Sequence, residues 1–217
     1  MFGRVNKLGI IGAGKFGIAV AKAAVKAGYD VSIAGRAADD NALTIPYEEP
    51  KAQVATVAQV ARSQRIVVLA IPFHNYRELP RDLFDETIVI DAMNYRPEVD
   101  GQDELLLVHP EMSSIMVQDW FADASIVKSL NQLSVEQFDH LRRPKRDKHR
   151  VAMGAASDDP EALKKVTKLI DRIGFDPVVT GRLSTGGLLA PGGPAYGTAP
   201  NASVLKKSIR ELPTFDA

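Results

Sequence analysis

A glycine pattern near the amino terminus is the first feature of the sequence with a clear chemical meaning. The pattern G-x-G-x-x-G follows the apolar run 8–11 directly and spans Gly12, Ala13, Gly14, Lys15, Phe16 and Gly17. In dinucleotide-binding units the first glycine makes a tight turn, the second admits the pyrophosphate, and the third lets a helix pack closely on a strand. The helix that follows points free N–H groups and a positive dipole end at the anion. The hexapeptide therefore predicts a dinucleotide site.

The end of the second predicted strand indicates which dinucleotide is bound. About 20 residues after the glycine pattern, an acidic residue would bond the ribose 2′-hydroxyl of NAD. Here Gly35 and Arg36 follow the strand 30–34, and a guanidinium suits a 2′-phosphate. The sequence therefore favours NADP(H) as the cofactor. Asp39 and Asp40 lie close enough along the chain to leave NAD(H) open.

Further polar residues leave the predicted sheet at the edge where ligands bind in open α/β folds. Ile71 and Pro72 end the strand 66–71, and His74 follows them. Asn94 and Asn131 follow two later strands. These residues are candidates for contacts with nicotinamide or with a substrate. His74 is equally consistent with an ordinary surface histidine, and either asparagine with a turn residue.

Other catalytic patterns are either absent from the sequence or wrongly placed in it. Tyr47 and Lys51 have the spacing of a short-chain dehydrogenase pair, but Pro50 separates them and they come too early in the chain. The chain has no cysteine, its four histidines lack metal-ligand spacing, and no serine lies in a G-x-S-x-G elbow. We therefore predict no catalytic nucleophile and no metal. Hydride transfer needs neither, because the cofactor carries that chemistry.

The elements that position these residues alternate between apolar strands and helices. Strands are predicted over 8–11, 30–34, 66–71, 87–91, 125–130, 150–156 and 177–179. Helices are predicted over 16–27, from a capping box at Thr56 and Gln59 to Ala61, around Trp120, and from Asp159 to Ile173. The alternation predicts an α/β fold of the Rossmann type, with a doubly wound, mostly parallel sheet of about eight strands.

The carboxyl-terminal part differs in composition. We divide the chain into a Rossmann domain over 1–183 and a Gly/Pro-rich tail over 184–217 with a short helix from Asn201. The glycines and prolines between 186 and 200 argue against regular structure in that stretch. Such a segment needs outside contacts to order it. The hypothesis is that it packs across the ligand crevice of a second copy in a homodimer, which brings Tyr196 to the acceptor.

Composition excludes several classes of protein. The 217 residues are 45% hydrophobic and 25% charged with zero net charge, so no electrostatic field favours nucleic acid or an anionic membrane. The basic cluster between Arg142 and Arg150 is interpreted as a solvated loop. No apolar stretch approaches the roughly 18 residues of a membrane span, and the amino terminus lacks the pattern of a signal peptide. A cytoplasmic protein is expected.

Several segments, taken together, resemble the deazaflavin-dependent NADP oxidoreductase family. They are 8–17, 33–36, 66–72, 127–131 and 154–174, together with the ending 180–183 and 189–197. The resemblance implies a Rossmann fold in which residues 12–17, Gly35 and Arg36 hold the adenosine and pyrophosphate of NADP. It further implies that Pro72, His74 and Asn94 line the nicotinamide.

The resemblance also implies a reaction, with departures on the acceptor side. Hydride would pass between NADP(H) and a flavin-like, deazaflavin or other small acceptor. Residues 129–132 read Ser-Leu-Asn-Gln where the family has a histidine-bearing stretch, and Phe73 replaces a tryptophan. The alternatives are an NADP-binding sensor without turnover and a reductase of a small imine or carbonyl compound.

Overall fold

A computed structural model describes residues 6–35 and 51–211. This part of the chain forms an α/β fold around one eight-stranded sheet in the order β3-β2-β1-β4-β5-β6-β7-β8. The strands are β1 (Asn6–Ile11), β2 (Tyr29–Ala34), β3 (Ala52–Val54), β4 (Ile66–Leu69), β5 (Ile88–Asp91), β6 (Ser125–Ser129), β7 (Ala152–Ala156) and β8 (Asp176–Gly181). The predicted doubly wound Rossmann-type sheet is confirmed.

Pairing within the sheet is parallel except at one position. β6 and β7 run antiparallel, with Lys128 opposite Ala156 and Ser129 opposite Ala155. The other neighbours are parallel, and the order reverses at β1, which pairs with β2 on one side and β4 on the other. Such a reversal leaves a crevice at the carboxyl ends of the strands, where ligands bind in this class of fold.

Helices cover both faces of the sheet. They are α1 (Lys15–Lys26), α2 (Val57–Ser63), α3 (Pro97–Asp100), α4 (Glu104–Val108), α5 (Met112–Trp120), α6 (Val135–His140), α7 (Pro160–Ile173) and α8 (Ala202–Arg210). Three 3₁₀ segments span Phe73–Glu78, Arg81–Phe84 and Leu183–Leu189. The side chains of Thr56 and Gln59 form the predicted capping box at α2. Asp159 caps α7 and left-handed Gly174 ends it, as predicted.

The apolar core lies in two layers, one on each side of the sheet. One layer joins α1 and α7 to the sheet and contains the ring pair Phe138–Phe175, whose centroids are 5.2 Å apart. The other joins α2 and α5 to the sheet and contains Phe84 and Phe121, at 4.9 Å. Burial on both faces explains why the strands read as continuous apolar runs.

One strand was missed, and one local prediction was wrong. The polar sequence before α2 gave no indication of β3, a three-residue strand that pairs with β2 at the edge of the sheet. The Gly/Pro-rich stretch was predicted to lack regular structure, but its first part is the 3₁₀ segment Leu183–Leu189. Tertiary contacts stabilise both pieces, and such contacts override local propensity. Arg36 and residues 37–50, which include Asp39 and Asp40, lie outside the described residues.

The tail packs on the sheet of its own chain. Leu189, Ala195 and Leu205 form an apolar cluster with Ala152 of β7 and Val178 of β8. The Ala152 N–H donates to the Pro200 carbonyl at 2.8 Å. These contacts order the segment within its own chain, and its packing across the ligand crevice of a second copy stays a prediction.

The basic cluster is not a uniformly solvated loop. The Arg150 side chain is 3% exposed and binds the carboxylates of Asp171 and Asp176 at 3.0 and 2.6 Å. Its guanidinium also donates to the carbonyl oxygens of Arg143, Asp171 and Phe175. Arg150 therefore joins the loop, the end of α7 and the start of β8. The interpretation as a solvated loop was wrong at this residue.

Replacing Arg150 tests this role. Arg150→Met leaves three carbonyls and two carboxylates without their buried donor, so we expect the free energy of unfolding to fall by about 3–5 kcal/mol. Lys148→Met is the matched control, because Lys148 is an exposed cation of the same loop; its effect should stay within about 0.5 kcal/mol. Urea denaturation measures both. Equal effects of the two variants would contradict the assignment.

Candidate functional site

The glycine loop connects β1 to α1, and two of its glycines are required by packing. Gly12 has φ +115°, and a Cβ there would lie 2.2 Å from the Ala70 carbonyl oxygen. A Cβ on Gly17 would lie 1.9 Å from the Gly12 carbonyl oxygen. The loop is thus pressed against the end of β4 on one side and against the first turn of α1 on the other. No larger residue fits at either position.

Gly14 differs from both, because nothing lies within 4 Å of a Cβ placed on it. It is the exposed N-cap residue of α1 and has no side chain to cap the helix. The Ile18 N–H makes the first helical bond, to the Gly14 carbonyl at 3.0 Å, so the N–H groups before it have no partner within the helix. The first turn has no acidic residue, and Lys15 is exposed there. This end of α1 is open and positive.

The other loop residues connect the site to the core. Ala13 is buried, and the half-buried ring of Phe16 packs edge-on against Phe138 at 5.3 Å. The Gly12 N–H donates to the Ala34 carbonyl at 2.8 Å, which places the exposed Gly35 beside the glycine loop. The structure thus brings Gly35 to the predicted position. Arg36, the next residue, is outside the described part of the chain.

The residues after β4 also lie at this edge. A Cβ on Gly12 would be 3.1 Å from Cγ2 of Ile71, so Ile71 borders the glycine loop, and the exposed Pro72 begins the 3₁₀ segment after it. His74 is exposed, and its Nδ1 lies 2.8 Å from Oδ1 of Asp100. The sequence analysis identified His74 but not its carboxylate partner, because Asp100 lies 26 residues further on.

Asn94 and Asn131 meet across the ends of β5 and β6. The Asn94 Nδ2 donates to the Asn131 carbonyl at 2.9 Å, and the Asn131 Nδ2 donates to Oδ1 of Asn94 at 2.9 Å and to the Leu189 carbonyl at 2.8 Å. The Oδ1 of Asn131 is buried, and no residue in the described part of the chain donates a hydrogen bond to it. Leu130, just before it, has φ +64°, an unfavourable conformation for a branched residue that places Asn131 at this edge.

A buried ion pair lies directly beneath the two asparagines. Nζ of Lys128 is 3.2 Å from Oδ2 of Asp91, and the two side chains are 1% and 0% exposed. Lys128 also donates to the Met93 carbonyl at 2.5 Å, while Asp91 accepts from the Met93 N–H and from Oγ of Ser114. Burial lowers the pKa of Lys128, and the Asp91 carboxylate opposes that shift. The pair fixes the backbone that leads to Asn94.

The sequence analysis missed this pair. Its only signal was the presence of a charged residue within each of two otherwise apolar strand patterns, at Asp91 and at Lys128. Charged residues in buried strands are normally paired. The segment after Lys128 is equally buried: Ser129 donates to the Gly154 carbonyl at 2.6 Å, and Gln132 accepts from the Gly154 N–H at 2.7 Å.

Tyr196 lies in the tail and is not joined to the other candidate residues. It is half-buried, and within the described part of the chain its side chain makes no hydrogen bond. The adjacent Gly197 N–H donates to the Gln132 carbonyl at 2.8 Å, so Tyr196 is anchored through its neighbour. Within residues 6–35 and 51–211, no cluster of three or more His, Asp or Glu side chains could hold a metal ion. Nor does any helix in those ranges have the length and apolarity needed to cross a bilayer.

The ion pair can be tested by a double-mutant cycle. Lys128→Met leaves the Asp91 carboxylate buried without its cation, so we expect the free energy of unfolding to fall by about 3–5 kcal/mol. Lys128→Met with Asp91→Asn removes that stranded charge, and this double variant should be more stable than the single one by at least about 1 kcal/mol. Urea denaturation of these two variants and of Asp91→Asn alone completes the cycle. If the losses of the two single variants add up to that of the double variant, the two charges do not stabilise each other.

Comparison with known proteins identifies a family for the amino-terminal part of the chain. Residues 7–95, which include the glycine loop and Asn94, match the family described as NADP oxidoreductase, coenzyme F420-dependent. No curated protein sequence matches the chain.

Solved structures show the same fold at low identity. A hypothetical protein from Sinorhizobium meliloti is 22% identical with a TM-score of 0.77, and the match covers 91% of this chain and 96% of that one. A protein from Arthrobacter sp. that has been proposed to be an F420-dependent NADP reductase is 18% identical with a TM-score of 0.68, covering 88% and 97%.

A larger enzyme shares the fold as well. The reductive aminase from Aspergillus terreus, solved with NADPH and ethyl levulinate, is 13% identical with a TM-score of 0.60, and the match covers 95% of this chain but 61% of the aminase. The family match over residues 7–95 confirms the resemblance to the F420-dependent NADP oxidoreductases, and with the shared fold it supports an oxidoreductase that uses NADP.

Proposed function

We propose that this protein is an NADP(H)-dependent oxidoreductase that passes a hydride between NADP(H) and a flavin-like, deazaflavin or other small acceptor. The observation that carries the proposal is the difference among the three glycines of the loop. Gly12 and Gly17 are required by the protein's own packing, whereas Gly14 borders open space and could carry a side chain in the fold as it stands. A glycine at that position is explained by a ligand that needs the backbone exposed.

The residues present fit a dinucleotide phosphate. The open N-terminus of α1 supplies N–H donors and positive potential, and it has no acidic side chain to neutralise them. Lys15 adds a positive charge beside them. Gly35 and Arg36 would hold the adenosine side, with the Arg36 guanidinium facing the 2′-phosphate. Ala13 and Phe16 support the loop from the core.

The nicotinamide side of the crevice would be lined by Ile71, Pro72, His74 and Asn94. The buried Oδ1 of Asn131 is an acceptor without a donor, and such atoms are rare because leaving them unpaired costs about 1–3 kcal/mol. The nicotinamide carboxamide has an N–H₂ group of the required kind. Asn131 therefore serves the ring or the substrate beside it, and Tyr196 remains a candidate for the acceptor side.

The protein's part in the reaction is to bind, orient and exclude water. NADP(H), when bound, supplies the hydride chemistry. The α1 N-terminus holds the phosphates, Ile71 and Pro72 limit movement of the ring, and the two asparagines fix its rotation. A homodimer and a cytoplasmic location stay predictions from the sequence. The fold shared with a reductive aminase keeps an imine or carbonyl acceptor open, although the chain spans about three fifths of that enzyme.

The glycine loop gives the first test of this function. Gly14→Val places a branched side chain where the backbone would meet phosphate, so NADPH affinity should fall at least about tenfold, or 1.4 kcal/mol. Thermal stability should not change, because the position is open. Gly17→Ala is the contrasting variant, in which stability should fall because its Cβ meets the Gly12 carbonyl. Calorimetric binding that is unchanged in Gly14→Val would remove the loop from the cofactor site.

Cofactor preference gives the second test. Arg36→Asp should weaken NADPH binding by at least about tenfold and leave NADH binding equal or better, since only NADPH has the 2′-phosphate. Arg62→Asp makes the same charge change on exposed α2 and controls for net charge. Titration of each variant with both cofactors measures the effect. Equal losses for NADPH and NADH would assign Arg36 a structural role and withdraw the support for NADP.

A further inference from the structure

A histidine–carboxylate pair lies at the crevice. Contact of the histidine with a cofactor would not by itself explain why the ring is paired with a buried carboxylate. Oδ1 of Asp100 accepts the backbone N–H of His74 at 3.0 Å and lies 2.8 Å from its Nδ1. Oδ2 of the same carboxylate accepts the Arg96 N–H at 2.8 Å. The Asp100 side chain is 2% exposed, whereas that of His74 is 45% exposed. The carboxylate is thus fixed and the imidazole reaches the solvent side.

Several contacts join the segments that bear this pair to the segment that bears Asn94. Phe73 packs edge-on against Tyr95 with centroids 5.9 Å apart, which joins the exit of β4 to the exit of β5. The Tyr95 hydroxyl donates to the Gly101 carbonyl at 2.9 Å and accepts the Asp103 N–H at 2.8 Å. These bonds fix the residues that follow α3, the helix that ends at Asp100. His74 and Asn94 precede or follow the two rings in the chain, and both come after strands at the carboxyl edge of the sheet, where the proposed nicotinamide site lies.

The geometry fixes the proton on the ring. An ionised carboxylate only accepts hydrogen bonds, so the nitrogen that faces Asp100 carries the hydrogen. In the neutral ring Nε2 therefore has the lone pair, and in the protonated ring Nε2 carries a transferable proton. No residue of the described chain bonds to Nε2. A base or acid oriented by a third group is the arrangement used for proton transfer in active sites.

We propose that His74, positioned by Asp100, exchanges the proton that accompanies the hydride, and that the acceptor is a compound with a C=O or conjugated C=N group. This inference rests on the proposed function. Bound NADPH would give up the hydride from C4 with its electron pair, and the new bond would form at the electrophilic carbon of the acceptor or, in a flavin, at the electrophilic ring nitrogen. The π electron pair moves to the oxygen or nitrogen, which takes the proton from Nε2 of the imidazolium. NADPH is oxidised, the acceptor is reduced, and solvent returns the proton to His74.

Substitution by asparagine separates this role from a structural one. In His74→Asn the side-chain amide can still donate to Asp100, so the contact is kept but Nε2 is lost. With NADPH and either FMN or 9,10-phenanthrenequinone as probe, kcat should fall about a hundredfold or more, far beyond any change in NADPH affinity from the lost ring contact. His109→Asn is the matched control, because His109 pairs with Glu111 at 3.0 Å elsewhere and should leave kcat unchanged. A His74→Asn enzyme with the parent kcat, or with a loss confined to NADPH affinity, would overturn the proposal.

The tautomer provides a readout that does not depend on turnover. In ¹⁵N-histidine NMR the His74 ring should carry its hydrogen on Nδ1, and the Asp100→Asn variant should lose that preference because a carboxamide can either donate or accept. NADP⁺ should shift the His74 signals and not those of His109. A His74 ring with the hydrogen on Nε2, or without a shift upon NADP⁺ binding, would contradict the assignment.

The same assays distinguish failure of this inference from failure of the proposed function. A parent protein that reduces an organic probe at the same rate as His74→Asn would overturn the proton role and keep the oxidoreductase. A parent that binds NADPH and reduces neither probe would overturn both and leave a nucleotide sensor. A parent that does not bind NADPH would overturn the cofactor assignment itself.

Discussion

The carboxyl edge of the sheet depends on one buried ion pair, Lys128 with Asp91. Removing two charges from water costs several kcal/mol for each ion, and their attraction offsets this only where further hydrogen bonds satisfy both groups. Here Ser114 and the Met93 backbone supply those bonds. The pair therefore joins β5, β6 and α5 and determines the path of the backbone toward Asn94. A Cβ on Gly186 would lie 3.0 Å from Cγ of Lys128, so the tail closes over the pair from above.

The rest of the crevice depends on close backbone contacts between the glycine loop, the end of β4 and the first turn of α1. Gly12 must lie against Ala70, and Gly17 against Gly12, so β1, β4 and α1 meet at one point. The start of α1 is thereby left open, with its free N–H groups at the crevice. The ring contact between Phe73 and Tyr95 then joins the segments that follow β4 and β5 on the other side of the crevice. The glycine loop and the segment after β4 thus rest on separate contacts, so we expect that one can be changed without disturbing the other.

Local signals in the sequence predicted most of the fold and the glycine loop at the start of α1. The capping box at Thr56 and the ends of α7 depend on residues within four positions of one another, so the sequence alone determines them. The contacts of His74 with Asp100 and of Asn131 with Leu189 span 26 and 58 residues, and no local pattern encodes them. The strand β3 was missed for the same reason, since its pairing with β2 and not its composition makes it a strand. Arg150 was misjudged because its partners come from α7 and β8, far from the basic cluster in sequence.

The glycines of the tail illustrate how the same composition can have two physical causes. Glycine and proline together usually indicate a chain that cannot form regular structure. Here close packing also requires a glycine outside the tail, at Gly154 of the strand β7 on which the tail packs. A Cβ on Gly154 would lie 2.3 Å from the Leu189 side chain. The Leu189 carbonyl in turn accepts a hydrogen bond from Nδ2 of Asn131. This bond fixes the side-chain amide of Asn131, whose Oδ1 has no donor among the described residues. Close approach of the tail to β7 is therefore what positions Asn131, and the small residues serve the site through packing rather than through flexibility.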